Sequence, residues 1–373
     1  MPNDTPKNSA FDRRALKFHP LADRHSKVSI DREHVSPDAQ APALPAAARE
    51  IVEEAGVRLR AAKACGASRM LSFGAHTIKN GLSPVLIRLI EQGWLTHLAT
   101  NGAGIIHDWE FAFAGVSSED VRENVSVGRF GAWEETGKYI NLALAVGAYQ
   151  GFGYGASIGK FVQDEAIDVP AQSALVAEAT QSLAARPAHA AAAADLLALL
   201  RDNAAPSGRI AVAHPWKRFG LQAAAYRLGI PFTGHPMFGH DIIYEHPMSC
   251  GAAIGRAAER DFLSFAASVS RLEGGVYLSI GSAVMSPMVF EKTLSMARNL
   301  AAQQGKTIGD FMIVVVDLAP VSWDWRQGEP PTTHPDYYLR FNKTFARMGG
   351  QVRYISADNR TFLPALLAQL NRA

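Results

Sequence analysis

Cysteine is nearly absent. The 373 residues carry two, Cys65 and Cys250, too few for a disulfide framework and in keeping with free thiols in a reducing compartment. Net charge is lacking as well: 37 Lys and Arg against 35 Asp and Glu leave +2. Charges this balanced and dispersed argue against a nucleic acid or an anionic membrane as partner. No run reaches the ~18 consecutive apolar residues of a membrane helix. The first 40 residues are polar and lack the apolar core of a secretory leader, so the expected location is the cytoplasm. What is plentiful is core material, with 48% hydrophobic residues, and glycine, at 31 residues. The length allows one large domain with extras or two ordinary ones.

Residues 1–45 mix charge, Pro and His without a sustained period and read as an N-terminal arm, suited to docking on a neighbouring subunit. Residues 46–373 form one domain. A helix is expected over about 46–65, with Ile51, Ala55, Val57 and Leu59 on its apolar side. A strand-then-helix rhythm follows. Strands are expected at 70–73, 95–100, 209–214, from 231, and at 276–280, 311–317 and 352–356. Helices are expected near 84–92, 107–113, 222–228 and 287–304. The Ala- and Leu-rich stretch 171–203 reads as a helical pair broken at Pro187. Strands spaced by helices of this length predict an α/β fold, an open and mostly parallel Rossmann-like sheet flanked by helices.

In such a sheet ligands bind outside the carboxyl ends of the strands. The turns expected there are rich in small and hydroxyl residues: Thr100-Asn101-Gly102-Ala103-Gly104, Ser279-Ile280-Gly281-Ser282 and Ser356-Ala357-Asp358. Any one is ordinary turn chemistry; three together favour a nucleotide. Gly151-Phe152-Gly153-Tyr154-Gly155 fails the dinucleotide fingerprint in spacing and reads as a flexible loop. His235, His240, Asp241 and His246 match no compact metal signature, so no metal is expected. A loop presenting His240 and Asp241 to a small-molecule substrate is the favoured alternative. Trp323-Asp324-Trp325 and His334–Tyr338 suit either a pocket wall or a loop anchored by its tryptophans.

Taken in order, these segments resemble deoxyhypusine synthase over roughly residues 70–370. Leu98–Gly104 with Asp108 is similar to that family's glycine turn for NAD. Arg122-Glu123-Asn124 with Gly128–Gly131, Gly229-Ile230-Pro231, and His240–His246 follow its order, and 278–284 fall where the family has a glycine triplet. Ala357-Asp358, with Phe362 and Pro364, resembles its terminal NAD-contacting segment. The resemblance implies NAD as cofactor, held by Thr100, Asn101, Gly102, Gly104, Asp108, Gly281, Ser282, Ala357 and Asp358. It also implies a homo-oligomer, a tetramer in the family, and a catalytic lysine at Lys343, helped by His240 and Asp241. His76, His107, Tyr337 and Phe341 would shape the substrate pocket.

The sequence departs from the family where spermidine would bind. Phe341-Asn342 replaces Trp-Gly, Tyr337 replaces a glutamate, His107 replaces an acidic residue, and Met285-Ser286-Pro287 replaces a His-His segment. A polycation needs carboxylates at fixed spacing to offset its lost hydration. The expectation is therefore an NAD-dependent transferase acting on an amine or other small substrate, other than spermidine, through Lys343. The alternatives are deoxyhypusine or homospermidine synthesis with a rebuilt polyamine pocket, and a nucleotide-binding protein without catalysis.

Overall fold

A computed structural model describes residues 11–372. Six strands form one sheet: β1 (Arg69–Phe73), β2 (His97–Asn101), β3 (Phe232–His235), β4 (Val276–Ile280), β5 (Met312–Asp317) and β6 (Gln351–Ser356). They lie in the order β6-β5-β4-β1-β2-β3, and every neighbouring pair is parallel. This is the order of the doubly wound dinucleotide folds, in which the chain reverses direction across the sheet between its first and fourth strands. The open Rossmann-like sheet expected from the sequence is present.

Two faces are covered, which is why the central strands are apolar throughout rather than alternating. The side chains still divide by parity. Met312, Val314 and Val316 point into one core with Leu71, Phe73, Leu278 and Ile280. Ile313 and Val315 point into the other with Met70, Tyr277, Phe290 and Phe345. Helix α1 (Ala46–Cys65) packs on the first face and ends at Gly66, whose φ of 73° closes the helix. Beside it lies the C-terminal helix (Asn359–Asn371).

Two parts of the chain leave the expected rhythm. The predicted strand at 209–214 is Gly208–Ala211, and it is not in the central sheet: it pairs antiparallel with Ala166–Val169. Its residues are mostly exposed, so no core alternation drew it into the main sheet. The predicted helical pair is present as Gln172–Gln181 and Pro187–Asp202. Both segments belong to a long insertion between β2 and β3.

Of the N-terminal arm, residues 1–10 lie outside the described residues. The remainder runs along this chain itself. Ser26–Ser29 pairs antiparallel with Val116–Glu119. Arg24 forms two hydrogen bonds with Glu110, at 2.7 and 2.8 Å, and both side chains are 1% exposed. Two charges removed from water together are held by that geometry, and removing either partner costs about 3–5 kcal/mol. Among the described residues, no helix is long and apolar enough to cross a membrane.

Candidate active site

The carboxyl edge of the sheet has two halves. The first lies over β1, β4, β5 and β6. Gly74 follows β1 and Gly281 follows β4, and they touch: a Cβ on Gly74 would sit 2.1 Å from the Gly281 carbonyl oxygen. This is the reversal point, where a crevice is expected between strands whose connections diverge. A cavity of ≈250 Å3 opens there, lined by His76, Asn80, Gly281, Val316, Asp317, Leu318, Ala357, Asp358 and Asn359. Gly281 has φ 56° and open space where a side chain would be. Ser282 accepts from the Ser286 N–H and so caps the start of helix α2 (Met285–Gln303).

Around this crevice the polar groups are partly spoken for. Asp358 accepts from the Arg360 N–H at the head of the last helix. One Asp317 oxygen accepts from the Ala319 N–H at 3.0 Å. The Asn80 amide donates to the Asn359 side chain, bridging the turn after β1 to the last helix. The sequence reading named His76, Gly281, Ser282, Ala357 and Asp358. It missed Asn80, Asp317 and Asn359. Asp317 had a signal: it ends the strand that follows the Gly281 turn by one strand–helix unit, where dinucleotide folds place a ribose-binding carboxylate.

The second half lies over β2 and β3, and its residues are engaged differently. Thr100 is buried, and its hydroxyl donates to the Phe73 carbonyl. Gly104 is packed so tightly on Thr100 that a Cβ would lie 2.1 Å from that hydroxyl oxygen. Asn101 accepts from the Gly104 N–H and caps helix α3 (Gly102–Ala114). Gly102 carries the Asp241 carboxylate, with a Cβ position 2.2 Å from its oxygen. Asp108 is 1% exposed, and burial raises its pKa. It accepts from the backbone N–H groups of Leu221 and Gln222 at the head of another helix. The turn read as an NAD cradle is thus filled by the chain's own groups.

Asp241 and His240 border a larger cavity of ≈560 Å3 with Phe11, Arg13, Phe130, Tyr244 and Glu245. Burial pushes Asp241 up to about 6, against a hydrogen bond from the Tyr244 hydroxyl at 2.9 Å. Burial, then the neighbouring charge of Glu119, pushes Glu245 up to about 7. Nothing in the sequence pattern singled out Glu245. His240 is exposed on its loop. The other two histidines of that segment are elsewhere: His235 is buried and bonded to Thr233, and His246 packs on Phe18. Among the described residues, no group of three or more His, Cys, Asp or Glu is placed to hold a metal ion.

The remaining sequence candidates lie apart from both cavities. His107 is bonded to Ser117, which donates to Glu110, and burial lowers its pKa to about 4. Lys343 sits on the excursion between β5 and β6, where its ammonium lies 3.6 Å from the centre of the Tyr337 ring and 3.9 Å from Glu329. Glu329 is also held by Arg347 through two bonds of 2.7 Å. Phe341 packs toward Tyr354, with ring centres 6.5 Å apart. The Gly151–Gly155 segment is firmly held: Gly153 and Gly155 lie against the buried Asp261 carboxylate and the Phe232 carbonyl. Asp261 accepts from the Gly155 and Gly234 N–H groups, so the anion at that helix start is internal.

No protein-family model matches this chain, and no curated protein does. Solved structures overlap it in part. AgrE, in a ternary complex with ornithine and NAD+, is 14% identical with a TM-score of 0.43, over 88% of this chain and 34% of AgrE. The chain therefore spans about a third of that protein's length. A conserved protein from Methanococcus maripaludis S2, provisionally named LOR/SDH, is 12% identical, TM-score 0.42, over 90% of this chain and 73% of its own. A protein from Entamoeba histolytica, provisionally named a deoxyhypusine synthase, is 10% identical, TM-score 0.37, over 81% and 74%. Overlaps at this level carry neither a family nor an activity across. The fold stands on the chain's own strand order.

Proposed function

We propose that the crevice between β1 and β4 binds NAD and that the chain is an NAD-dependent enzyme acting on a small amine. The observation that carries this is the Gly281 turn at the point of strand reversal, open at its Cβ position, with the Asp317 carboxylate at the end of the neighbouring strand β5 lining the same crevice. Gly281 lets a pyrophosphate approach the backbone before α2, and Asp317, with one oxygen uncommitted, is placed to accept from ribose hydroxyls. The small and polar lining, His76, Asn80, Ala357 and Asn359, fits such a ligand. Bound NAD supplies a hydride acceptor for a carbon that carries a nitrogen.

The chain's own residues would hold the amine. Gly102 and Gly281 follow strands two places apart in the sheet, so their Cα atoms are separated by roughly 10 Å at ~4.8 Å per strand. The cavity bordered by Asp241, Glu245 and Arg13 thus lies on the same edge of the sheet as the crevice. Asp241 and Glu245 pair with an ammonium group while ionised, and their raised pKa values suit them to take a proton near neutral pH. Of the amine or other small substrate expected from the sequence, these carboxylates favour the amine. Lys343 would then anchor the excursion through Tyr337 and Glu329 and take no part in transfer.

Calorimetric titration of the full chain with NAD tests the proposal. Binding in the micromolar range, weakened in Asp317→Asn and unchanged in Lys343→Ala, is expected. No detectable binding by the folded wild-type chain at millimolar NAD would sink it.

A further inference from the structure

The N-terminal arm also reaches the carboxyl edge. Its short turn of 3-10 helix, Arg13–Ala15, starts under a cap from Asp12, whose side chain accepts from the Arg14 N–H. From there Arg13 crosses to the segment after β3. Its guanidinium donates to the Tyr244 carbonyl at 2.9 Å and to the Ser249 carbonyl at 2.8 Å. These bonds leave three of its five N–H groups uncommitted among the described residues. Arg13 is half-buried and lines the same ≈560 Å3 cavity as Asp241 and Glu245.

Three charged groups thus face one cavity without pairing. No Lys, Arg or His nitrogen of the described residues lies within 4.0 Å of the Asp241 or Glu245 carboxylate, and none of their carboxylates lies that close to Arg13. Asp241 is nonetheless only 8% exposed. By contrast, Arg256 donates to Asp195 and Arg353 to Glu54, so those half-buried arginines have their counter-charge. Arg69 is held by carbonyls as Arg13 is, but by four of them, which nearly exhausts its donors. Pinning the arm to its partner segment needs donors, not a charge. The neighbouring charges are engaged elsewhere: Glu119 accepts from the Asn124 amide and the Gly131 N–H, and Arg14 pairs with Asp202.

A ligand with an ammonium alone would meet two carboxylates and also a guanidinium that repels it. A carboxylate on the same ligand gives that guanidinium the planar, two-oxygen partner its N–H groups fit. Leu16, Phe130 and Ile242 line the same space and suit a short aliphatic stem. We propose that this cavity takes an amino acid, its ammonium at Asp241 and Glu245 and its carboxylate on the Arg13 guanidinium. The inference rests on the reading above that the cavity holds the amine, and it narrows that amine to a zwitterion. Arg13 is then the residue that sets specificity, and the arm is a wall of the site. Nothing in the sequence marked Arg13, because the arm shows no period and Tyr244 lies 231 residues further on.

Calorimetric titration of the full chain at pH 8, above the Glu245 value of about 7, tests this with four five-carbon probes. Norvaline and delta-aminovalerate carry both charges, on one carbon or at two ends; pentylamine and pentanoate carry one each. The better zwitterion should bind about tenfold or more tighter than either single-charge probe. Arg13→Gln should abolish that advantage and leave pentylamine affinity no lower, since a repelling cation has been removed. Pentylamine binding as tightly as both zwitterions would overturn the amino-acid assignment while leaving the amine reading intact. Equal weakening of zwitterion and pentylamine in Arg13→Gln would do the same, as it marks Arg13 as a structural clamp. If no amine-bearing probe binds, the amine reading falls and this inference with it. Each titration is run with and without NAD, so the outcome is separate from that of the nucleotide proposal.

Discussion

The two halves of the sheet's carboxyl edge use the same residues for opposite ends. Over β2, the glycines of Thr100–Gly104 make room for the chain itself: Gly104 for the Thr100 side chain and Gly102 for the Asp241 carboxylate. Over β4, Gly281 makes room for nothing in the chain, and its Cβ direction is empty. A glycine turn after a parallel strand is therefore not by itself a ligand site. What decides is whether the space the missing side chain leaves has been taken. The electrostatics differ in the same way. The β2–β3 half buries carboxyl groups and raises their pKa values, while Asp317 and Asp358 sit by an open crevice.

The largest expected effect lies at the seam between the halves. In Gly74→Ala the new Cβ meets the Gly281 carbonyl, a backbone atom that cannot swing aside, so β1 and β4 must part. A loss of about 2–3 kcal/mol in urea unfolding is expected, the upper part of the overpacking range. NAD binding should fall more than about tenfold with it, since tenfold is only ~1.4 kcal/mol. Gly281→Ala, with strain but no clash, should lose only about 1 kcal/mol. Equal losses in the two variants would erase the distinction between a filled and an open glycine.

Next comes Asp317→Asn, which keeps the shape and removes the charge. A hydrogen bond to a charged group is worth about 1.5–3 kcal/mol, so NAD affinity should drop roughly tenfold or more while amine binding in the other half is untouched. A matched drop in both would mean that the halves are one site.

A third effect separates the halves by pH. Asp241 and Glu245 have folded pKa values of about 6 and 7, above their ordinary values of 3.8 and 4.5. The folded state therefore binds their protons more tightly than the unfolded chain does, and their contribution to stability falls as pH rises from about 4 to about 7. Amine affinity should run the other way, rising over pH 5 to 8 as the carboxylates ionise. Asp241→Asn with Glu245→Gln should flatten both profiles. A pH profile unchanged in the double variant would show that other groups titrate there. The smallest effect expected is Lys343→Ala, within about twofold for NAD and amine binding alike, since its ammonium is engaged by Tyr337 and Glu329. A loss of activity by orders of magnitude with binding intact would restore Lys343 as the transfer group.

Much of the architecture was legible because it depends on local pattern. The strand 276–280 and the helix 46–65 coincide with the observed Val276–Ile280 and Ala46–Cys65, and Pro187 does divide two helices. Apolar runs of strand length bounded by glycine carry their own signal. The segment at 209–214 was misplaced because propensity for a strand says nothing about which strand it will pair with. The site was legible only in part, for a related reason. Gly281, Ser282, Ala357 and Asp358 follow strands and are found at the crevice. Asp108 and His107 are also near a strand end, yet their helix turns them inward to Leu221, Gln222 and Ser117.

By itself the sequence determined that this chain is α/β, that its strands are buried on both faces, and where the turns at their ends lie. These follow from spacing along the chain, at periods of two and 3.6 residues. Only the tertiary structure decided which turns stay open, that Asp241 fills Gly102, and that Glu245 stands beside Glu119. Such facts depend on which distant residue arrives in a given space. In this fold an insertion of about 130 residues between β2 and β3 delivers many of them.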